Sequence, residues 1–304
     1  MAWTSQTPIH EPGTLTIKKL NLFDTFNVVL LTGCAVLALY PFVYTVAISL
    51  STAEGAARDG LHLYPRDMTL TAYKMILGNR EILIGYANTI GRTIVGCLAT
   101  LLMTCLCAYP LSRPEMPHRR LIMVFIIFTM IFSGGVVPLY LVLNGLGLID
   151  NRLVYVLPLM LTAFNTILVK SFFQQLPQGL GEAARLDGAN EFYILFKIYM
   201  PLSKPVLATV GLWTVIMHWN MWFDGLVFID SNSKQVMQVL LQRIVIESST
   251  GLIEKGVINP DITMFTPETI KAATIVVTIV PTLLVYPFVQ RFFVRGITLG
   301  SVKG

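Results

Sequence analysis

Residues 182–205 read EAARLDGANEFYILFKIYMPLSKP, a charged, glycine-turned segment set between two membrane-length apolar runs. Gly179 and Gly181 precede a helix-prone run from Glu182 to Leu186. Glu182 falls in its first turn, where the helix dipole favours a carboxylate. Asp187-Gly188 is a turn signal, because glycine takes positive φ at no steric cost. Asn190 can then cap a second helix, Glu191 to Tyr199, with Phe192, Leu195, Phe196 and Tyr199 on one face at helical spacing. Pro201 and Pro205 end that helix and open the next apolar run. The expected product is two short helices at an angle, a firm and partly apolar knob that projects from a membrane protein.

Composition supports the membrane reading. The chain has 304 residues, 54% hydrophobic and only 13% charged, with a mean hydropathy of +0.67. Soluble domains carry roughly 25% charged residues, so about half the usual charge is missing. The formal net charge of +5 has no accompanying Lys/Arg run interleaved with aromatics, which argues against a nucleic-acid partner. Basic residues flanking membrane spans account for it more simply. Cys34, Cys97, Cys105 and Cys107 all lie inside apolar runs, and Cys105 and Cys107 point roughly 200° apart on a helix. They are read as small buried apolar residues rather than a disulfide framework or metal ligands.

Six apolar segments stand near the roughly 20 residues that cross a bilayer: 26–50, 84–109, 121–143, 153–170, 205–226 and 269–290. The expectation is an all-α membrane protein with six transmembrane helices. Its organisation would be an N-terminal segment 1–25 and a single domain 26–304, with loops at 51–83, 171–204 and 227–268 and a tail at 291–304. The segments 1–25, 110–120, 171–204 and 291–304, with Lys170 at a boundary, hold twelve Lys/Arg residues, whereas 51–83, 144–152 and 227–268 hold eight. Positive residues favour the cytoplasmic side, so the first set, both termini included, is expected inside. SRPEMPHRR (112–120) weighs most, since a short loop orients a membrane protein best. The first span follows too long a polar leader and is itself too long for a signal h-region, and is expected to be retained. TAYKMIL (71–77) and QVMQVLLQRIVIE (235–247) have the mixed period of interfacial helices.

With these residues in view, the segment from Glu182 resembles the EAA loop of binding-protein-dependent ABC importers, most closely the maltose and multiple-sugar permeases. Ala108-Tyr109-x-x-x-Arg113 resembles the family's second-span ending. Ser133-Gly134-Gly135, Pro138 and Gly145-Leu146-Gly147-Leu148 resemble its third-span exit, and His218-Trp219-Asn220 its fifth-span signature. The tail from Tyr286-Pro287-Phe288 to Gly300-Ser301-Val302-Lys303-Gly304 resembles the subgroup associated with polysaccharide-derived oligosaccharides. The resemblance implies the type I ABC-importer permease fold in a bacterial cytoplasmic membrane. It also implies a second permease, often non-identical in this family, two cytoplasmic ATPases that bind ATP and magnesium, and an extracytoplasmic solute-binding protein that meets loop 227–268. Glu182, Ala183, Ala184, Asp187, Gly188, Phe192 and Phe196 would then dock on the ATPase. No cofactor is expected in this chain.

Other residues leave alternatives open. Trp213, Trp219, Asn220 and Trp222 could line a sugar path, since aromatic faces stack on pyranose rings, or form helix packing and an interfacial belt. His218 could be a proton relay, but no carboxylate lies at i±3 or i±4, which favours a hydrogen-bonded structural role. Arg92 is close enough to a span end to snorkel, and Asp224 and Lys271 also lie near an interface. No G-x-x-x-x-G-K-[ST] phosphate loop occurs, so ATP would be hydrolysed by another chain. His10, His62, His118 and His218 match no zinc spacing. The rivals are a permease for a non-sugar solute, a secondary transporter with an ionisable intramembrane site and a membrane-embedded enzyme; no catalytic cluster supports the last.

Overall fold

The computed structural model describes the backbone of residues 22–247 and 266–301, and the side chains of 22–246 and 266–284. The expected N-terminal segment to residue 21, loop residues 248–265 and the side chains of the Tyr286-to-Gly304 tail lie outside the described residues. Every described element is helical. In order these are α1 (Leu22–Ser49), α2 (Ala53–Ala57), α3 (Thr71–Gly78), α4 (Arg80–Ser112), α5 (Arg119–Ile131) and α6 (Val136–Gly145). Two 3-10 turns, Arg152–Tyr155 and Leu157–Leu159, lead to α7 (Ala163–Phe173) and α8 (Gly179–Leu186). Next come α9 (Glu191–Ile194), a π turn (Leu195–Tyr199), α10 (Met200–Leu202), α11 (Lys204–Asn220) and α12 (Phe223–Phe228). A 3-10 turn at Asn232–Lys234, α13 (Met237–Glu247) and α14 (Pro267–Ser301) complete the described chain.

Among the described residues, three helical stretches are long and apolar enough to cross a bilayer: Leu22–Ser49, Arg80–Ser112 and Pro267–Leu284. The other expected spans are broken. α5 and α6 meet at 114° and the 152–159 turns and α7 at 50°, while the knob segment Glu191–Leu202 meets α11 at 84°. Glycine permits the first break: Gly135 has φ +83°, a conformation that strains any residue with a Cβ. The fifth apolar run does not continue to residue 226. α11 stops at Asn220, and α12 restarts after Met221-Trp222.

α4 is the central element, packed against α7, α11 and α13. Asn79 caps it, its side chain accepting from the Glu81 amide at 2.8 Å. Buried threonines return their hydroxyls to carbonyls one turn back, as Thr89 does to Gly85 (2.8 Å) and Thr93 to Thr89 (2.7 Å). Such bonds allow polar residues inside an apolar bundle. α1 packs on α14, yet most of its apolar side chains, Leu22 to Val46, face away from the chain. Cys34 is among the exposed residues, whereas Cys105 is fully buried as expected.

α3 forms where TAYKMIL was read, and Ala72 and Ile76 are buried. α13 forms too, but it is not interfacial on all sides. Met237 and Val239 are buried, and the Met237 amide donates to Thr89 Oγ1 at 2.8 Å, which locks the start of α13 onto α4.

Candidate functional site

The knob assembles from α8 to α10. α8 starts at Gly179, one turn earlier than Glu182, and so includes the glycines expected to precede it. It ends in a Schellman motif: Ala189 N donates to Ala184 O (2.9 Å) and Gly188 N to Arg185 O (3.0 Å). Gly188 is left-handed at φ +84°, which is the physical reason for glycine at that position. Asn190 caps the second helix as expected, its Oδ1 accepting from Tyr193 N at 2.8 Å. That helix then widens into the π turn and runs through Pro201 to Leu202, so the chain breaks at Ser203 rather than at Pro201.

The face read from helical spacing is split along its length. Leu195 and Tyr199 point inward and are buried, while Phe192 is 66% and Phe196 40% exposed. Glu182, Ala183, Asp187 and Gly188 are exposed and Ala184 is half-buried. Leu186 at the knob's tip is 89% exposed. The outer surface of the knob therefore combines a carboxylate, small residues and unpartnered apolar side chains.

The inner surface is tied to α4. Tyr109 Oη donates to Glu191 Oε2 at 2.5 Å, and Arg185 Nε donates to Glu191 Oε1 at 2.7 Å. The Arg185 bond, with Tyr109's added, holds the Glu191 carboxyl below the usual glutamate range. Arg113 is buried, donates to Tyr109 Oη at 2.9 Å, and lies over the rings of Tyr109 (5.1 Å) and Tyr199 (4.8 Å). Tyr109, Phe173 and Tyr199 meet edge to face, joining α4, α7 and the knob. Gly181 makes this possible, since a Cβ there would fall 2.5 Å from Arg113 Nη2. A groove of about 440 Å³ opens beside these groups, lined in part by Arg113, Arg185, Glu191 and Phe192.

Sequence reasoning marked Tyr109 and Arg113 only as a span ending, and it missed the roles of Gly181, Arg185 and Glu191. The signal available was a Tyr and an Arg one turn apart, facing a carboxylate-bearing loop. Their pairing across 82 residues has no local signature.

The proposed path residues do not form one surface. Trp213, Asn220 and Trp222 are exposed, and Trp213 lies against Phe164 at 5.5 Å. Trp219 is buried, its indole N–H donating to Thr278 O at 3.2 Å beside Tyr86. The geometry removes Trp219 from any solvent-facing set. His218 is fully buried in the niche opened by Gly96, and neither ring nitrogen meets a hydrogen-bond partner among the described residues. This corrects the hydrogen-bonded role expected for it.

Arg92 is also corrected. It does not snorkel to water but pairs with Asp224 inside the protein: Nη2 reaches Oδ2 at 2.6 Å and Nη1 reaches Oδ1 at 3.2 Å. The pair joins α4 to α12, which sequence distance had hidden. On the same side of the bundle, Asp150 accepts from Ser231 Oγ and Lys234 Nζ, both at 2.6 Å, and from the Ser231 amide at 2.9 Å. Lys234 first, then Ser231, holds the Asp150 carboxyl well below the usual aspartate range. Among the described residues no group of three His, Cys, Asp or Glu side chains converges as a metal site would require.

The described residues form an all-helical bundle whose charged knob is bonded to its central helix, with helices long and apolar enough to cross a membrane. A profile of the family described as "Binding-protein-dependent transport system inner membrane component" matches residues 100–299. The chain belongs to that family. It is 37% identical over 287 residues to Protein LplC of Bacillus subtilis, covering 93% of this chain and 95% of that one. It is 38% identical over 290 residues to the polygalacturonan/rhamnogalacturonan transport system permease protein YtcP of the same organism, covering 94% and 100%. A chain from the crystal structure of a bacterial ABC transporter that imports the acidic polysaccharide alginate superposes with a TM-score of 0.85 at 34% identity. That match covers 94% of this chain and 100% of the other. The helical fold, the permease family and the inner-membrane class agree with the resemblance read from the sequence.

Proposed function

We propose that the chain is the permease subunit of an ATP-driven, binding-protein-dependent importer of oligosaccharides derived from acidic polysaccharides. The observation that carries this reading is the knob itself, bonded to α4 on one side and presenting Glu182, Leu186 and Phe192 on the other. A rigid contact of this kind can carry ATP-driven motion into a membrane bundle, whereas a loose loop would dissipate it. The acidic substrate is supported by two relatives, a polygalacturonan/rhamnogalacturonan transport permease and a chain of an importer of the acidic polysaccharide alginate.

In this reading the three continuous apolar helices and the bent elements make six spans, with both termini and the 171–204 knob in the cytoplasm. The 84° bend before α11 fits, because a segment nearly perpendicular to a span runs along the membrane face. Glu182, Ala183, Ala184, Asp187, Gly188, Phe192 and Phe196 would meet a separate ATPase, two copies of which bind ATP and magnesium. The exposed apolar faces of α1 and α5 would meet lipid and a second permease. The 51–83 and 227–268 loops would face outward, the latter toward a solute-binding protein. Transport would proceed by alternating access in a bacterial cytoplasmic membrane.

The test is uptake by the reconstituted assembly, supplied with its binding protein and labelled oligogalacturonides, alginate oligomers or neutral maltodextrins. ATP-dependent uptake of a uronic-acid oligomer is the expected result. Uptake of neutral sugars alone would overturn the acidic assignment, and uptake without ATP would favour a secondary transporter.

A further inference from the structure

α4 is held at two places along one continuous helix. At its inner end Tyr109 and Arg113 grip the knob. Seventeen residues earlier, about 25 Å along the axis at ~1.5 Å per residue, Arg92 grips the junction between α11 and α12. The Arg92 guanidinium makes three bonds there: two to Asp224 and one to Met221 O at 3.1 Å. Met221 caps the C-terminal end of α11, and Asp224 lies in the first turn of α12. One side chain therefore spans the break between two helices and fixes both to α4.

The surrounding contacts extend this clamp. The guanidinium lies 4.5 Å from the centre of the Tyr155 ring, whose hydroxyl donates to Lys234 O at 3.1 Å. Gln235 Nε2 donates to Ile229 O at 2.6 Å, closing the turn between α12 and α13. Gly225, next to Asp224, has no space for a side chain, since a Cβ would lie 2.8 Å from Val239. The side chains of Arg92 and Asp224 are 1% and 11% exposed. Burying two full charges is costly unless their geometry is well satisfied, and packing alone would not need them.

We infer that Arg92 is a positioning residue of the transport cycle. Its ion pair with Asp224 fixes segment 221–240 to α4, so that movement of the knob at one end of α4 reaches the opposite face as a single displacement. A rigid link passes displacement in either direction, so an event at the 221–240 face, such as arrival of the loaded binding protein, reaches the ATPase by the same rod. This inference rests on the import function proposed above.

The experiment uses the complete transporter in nanodiscs and compares wild type with Asp224→Asn and the double variant Arg92→Gln/Asp224→Asn. Three quantities are read: basal ATP hydrolysis, its stimulation by substrate-loaded binding protein, and thermal stability. Both variants are expected to keep basal hydrolysis within about twofold and to lose about tenfold in stimulation, within the span of allosteric couplings. The double variant guards against mere misfolding, because it leaves no unpaired buried charge. Wild-type stimulation in the double variant would overturn the inference. So would a parallel fall in basal activity and stability, or failure of both variants to assemble, since either outcome assigns the pair to folding alone. A wild-type complex that hydrolyses ATP but ignores every binding protein would instead count against the import function.

Discussion

Tyr109 on α4 and Glu191 on the knob are joined by a hydroxyl-to-carboxylate bond of 2.5 Å, across 82 residues of sequence. Glu191 also accepts from Arg185, so one carboxylate joins the two knob helices and binds both to a span. The Arg185 partner is partly solvated, and exposed ion pairs contribute little to stability. Glu191→Gln should therefore leave the fold intact yet loosen the knob. Sugar uptake is expected to fall several-fold with little change in the unfolding temperature. Unchanged uptake would show that the bond carries no force.

Gly181→Val tests the same joint by sterics. A Cβ at this position lies 2.5 Å from Arg113 Nη2, so the guanidinium must leave its place over Tyr109 and Tyr199. Uptake should drop by more than the Glu191→Gln change causes, and the uptake-to-ATPase ratio reports it. A variant with a wild-type ratio would contradict the role given to Arg113.

Asn190→Ala removes the cap on the second knob helix. Loss of an N-cap costs about 1 kcal/mol of local stability. Hydrogen exchange at the Tyr193 amide, which donates to Asn190 Oδ1, should quicken by about fivefold, while amides in α4 stay unchanged.

Gly96 and His218 are predicted to be coupled. A Cβ on residue 96 would sit 2.4 Å from His218 Nε2 inside a closed niche. Gly96→Ala alone should destabilise the protein by about 1–3 kcal/mol through overpacking. Adding His218→Ala should recover part of that loss, a non-additivity that a double-mutant cycle in detergent unfolding measures. Simple additivity would deny the contact.

Asp150 gives a pH prediction. Its folded-state pKa is depressed by Lys234 and Ser231, so its stabilising contribution is present above the unfolded aspartate value of about 3.9. The contribution is lost as pH falls from there toward the folded value. Asp150→Asn should lower the unfolding temperature at pH 7, and the difference from wild type should shrink below about pH 4. A gap that does not depend on pH would rule out the ion pair as its cause.

Local chemistry was legible in the chain itself. Asp187-Gly188 announced a turn because only a residue without Cβ sits comfortably at positive φ, and Asn190 announced a cap because its side chain can accept an amide three residues on. The apolar runs announced a membrane bundle because lipid tolerates so little charge. Less local features were misread. Helical spacing puts Phe192 to Tyr199 on one stripe, but only Leu195 and Tyr199 turn inward, while Phe192 and Phe196 stay exposed. Gly134-Gly135 signals a kink in span 121–143, but hydropathy does not register that the turn there reaches 114°.

The sequence by itself determined the helical membrane class, the knob with its glycine turn and cap, and the resemblance to sugar permeases, since each rests on neighbours within a few residues. Only the tertiary structure decided that Tyr109 meets Glu191, that Gly181 makes room for Arg113, and that Arg92 is bound to Asp224 instead of reaching water. Those partners lie 68 to 132 residues apart (181 − 113 = 68). Pairing over such distances leaves no periodic trace in a chain and is fixed by how the spans pack, which brings opposite charges together where leaving either alone would be costly.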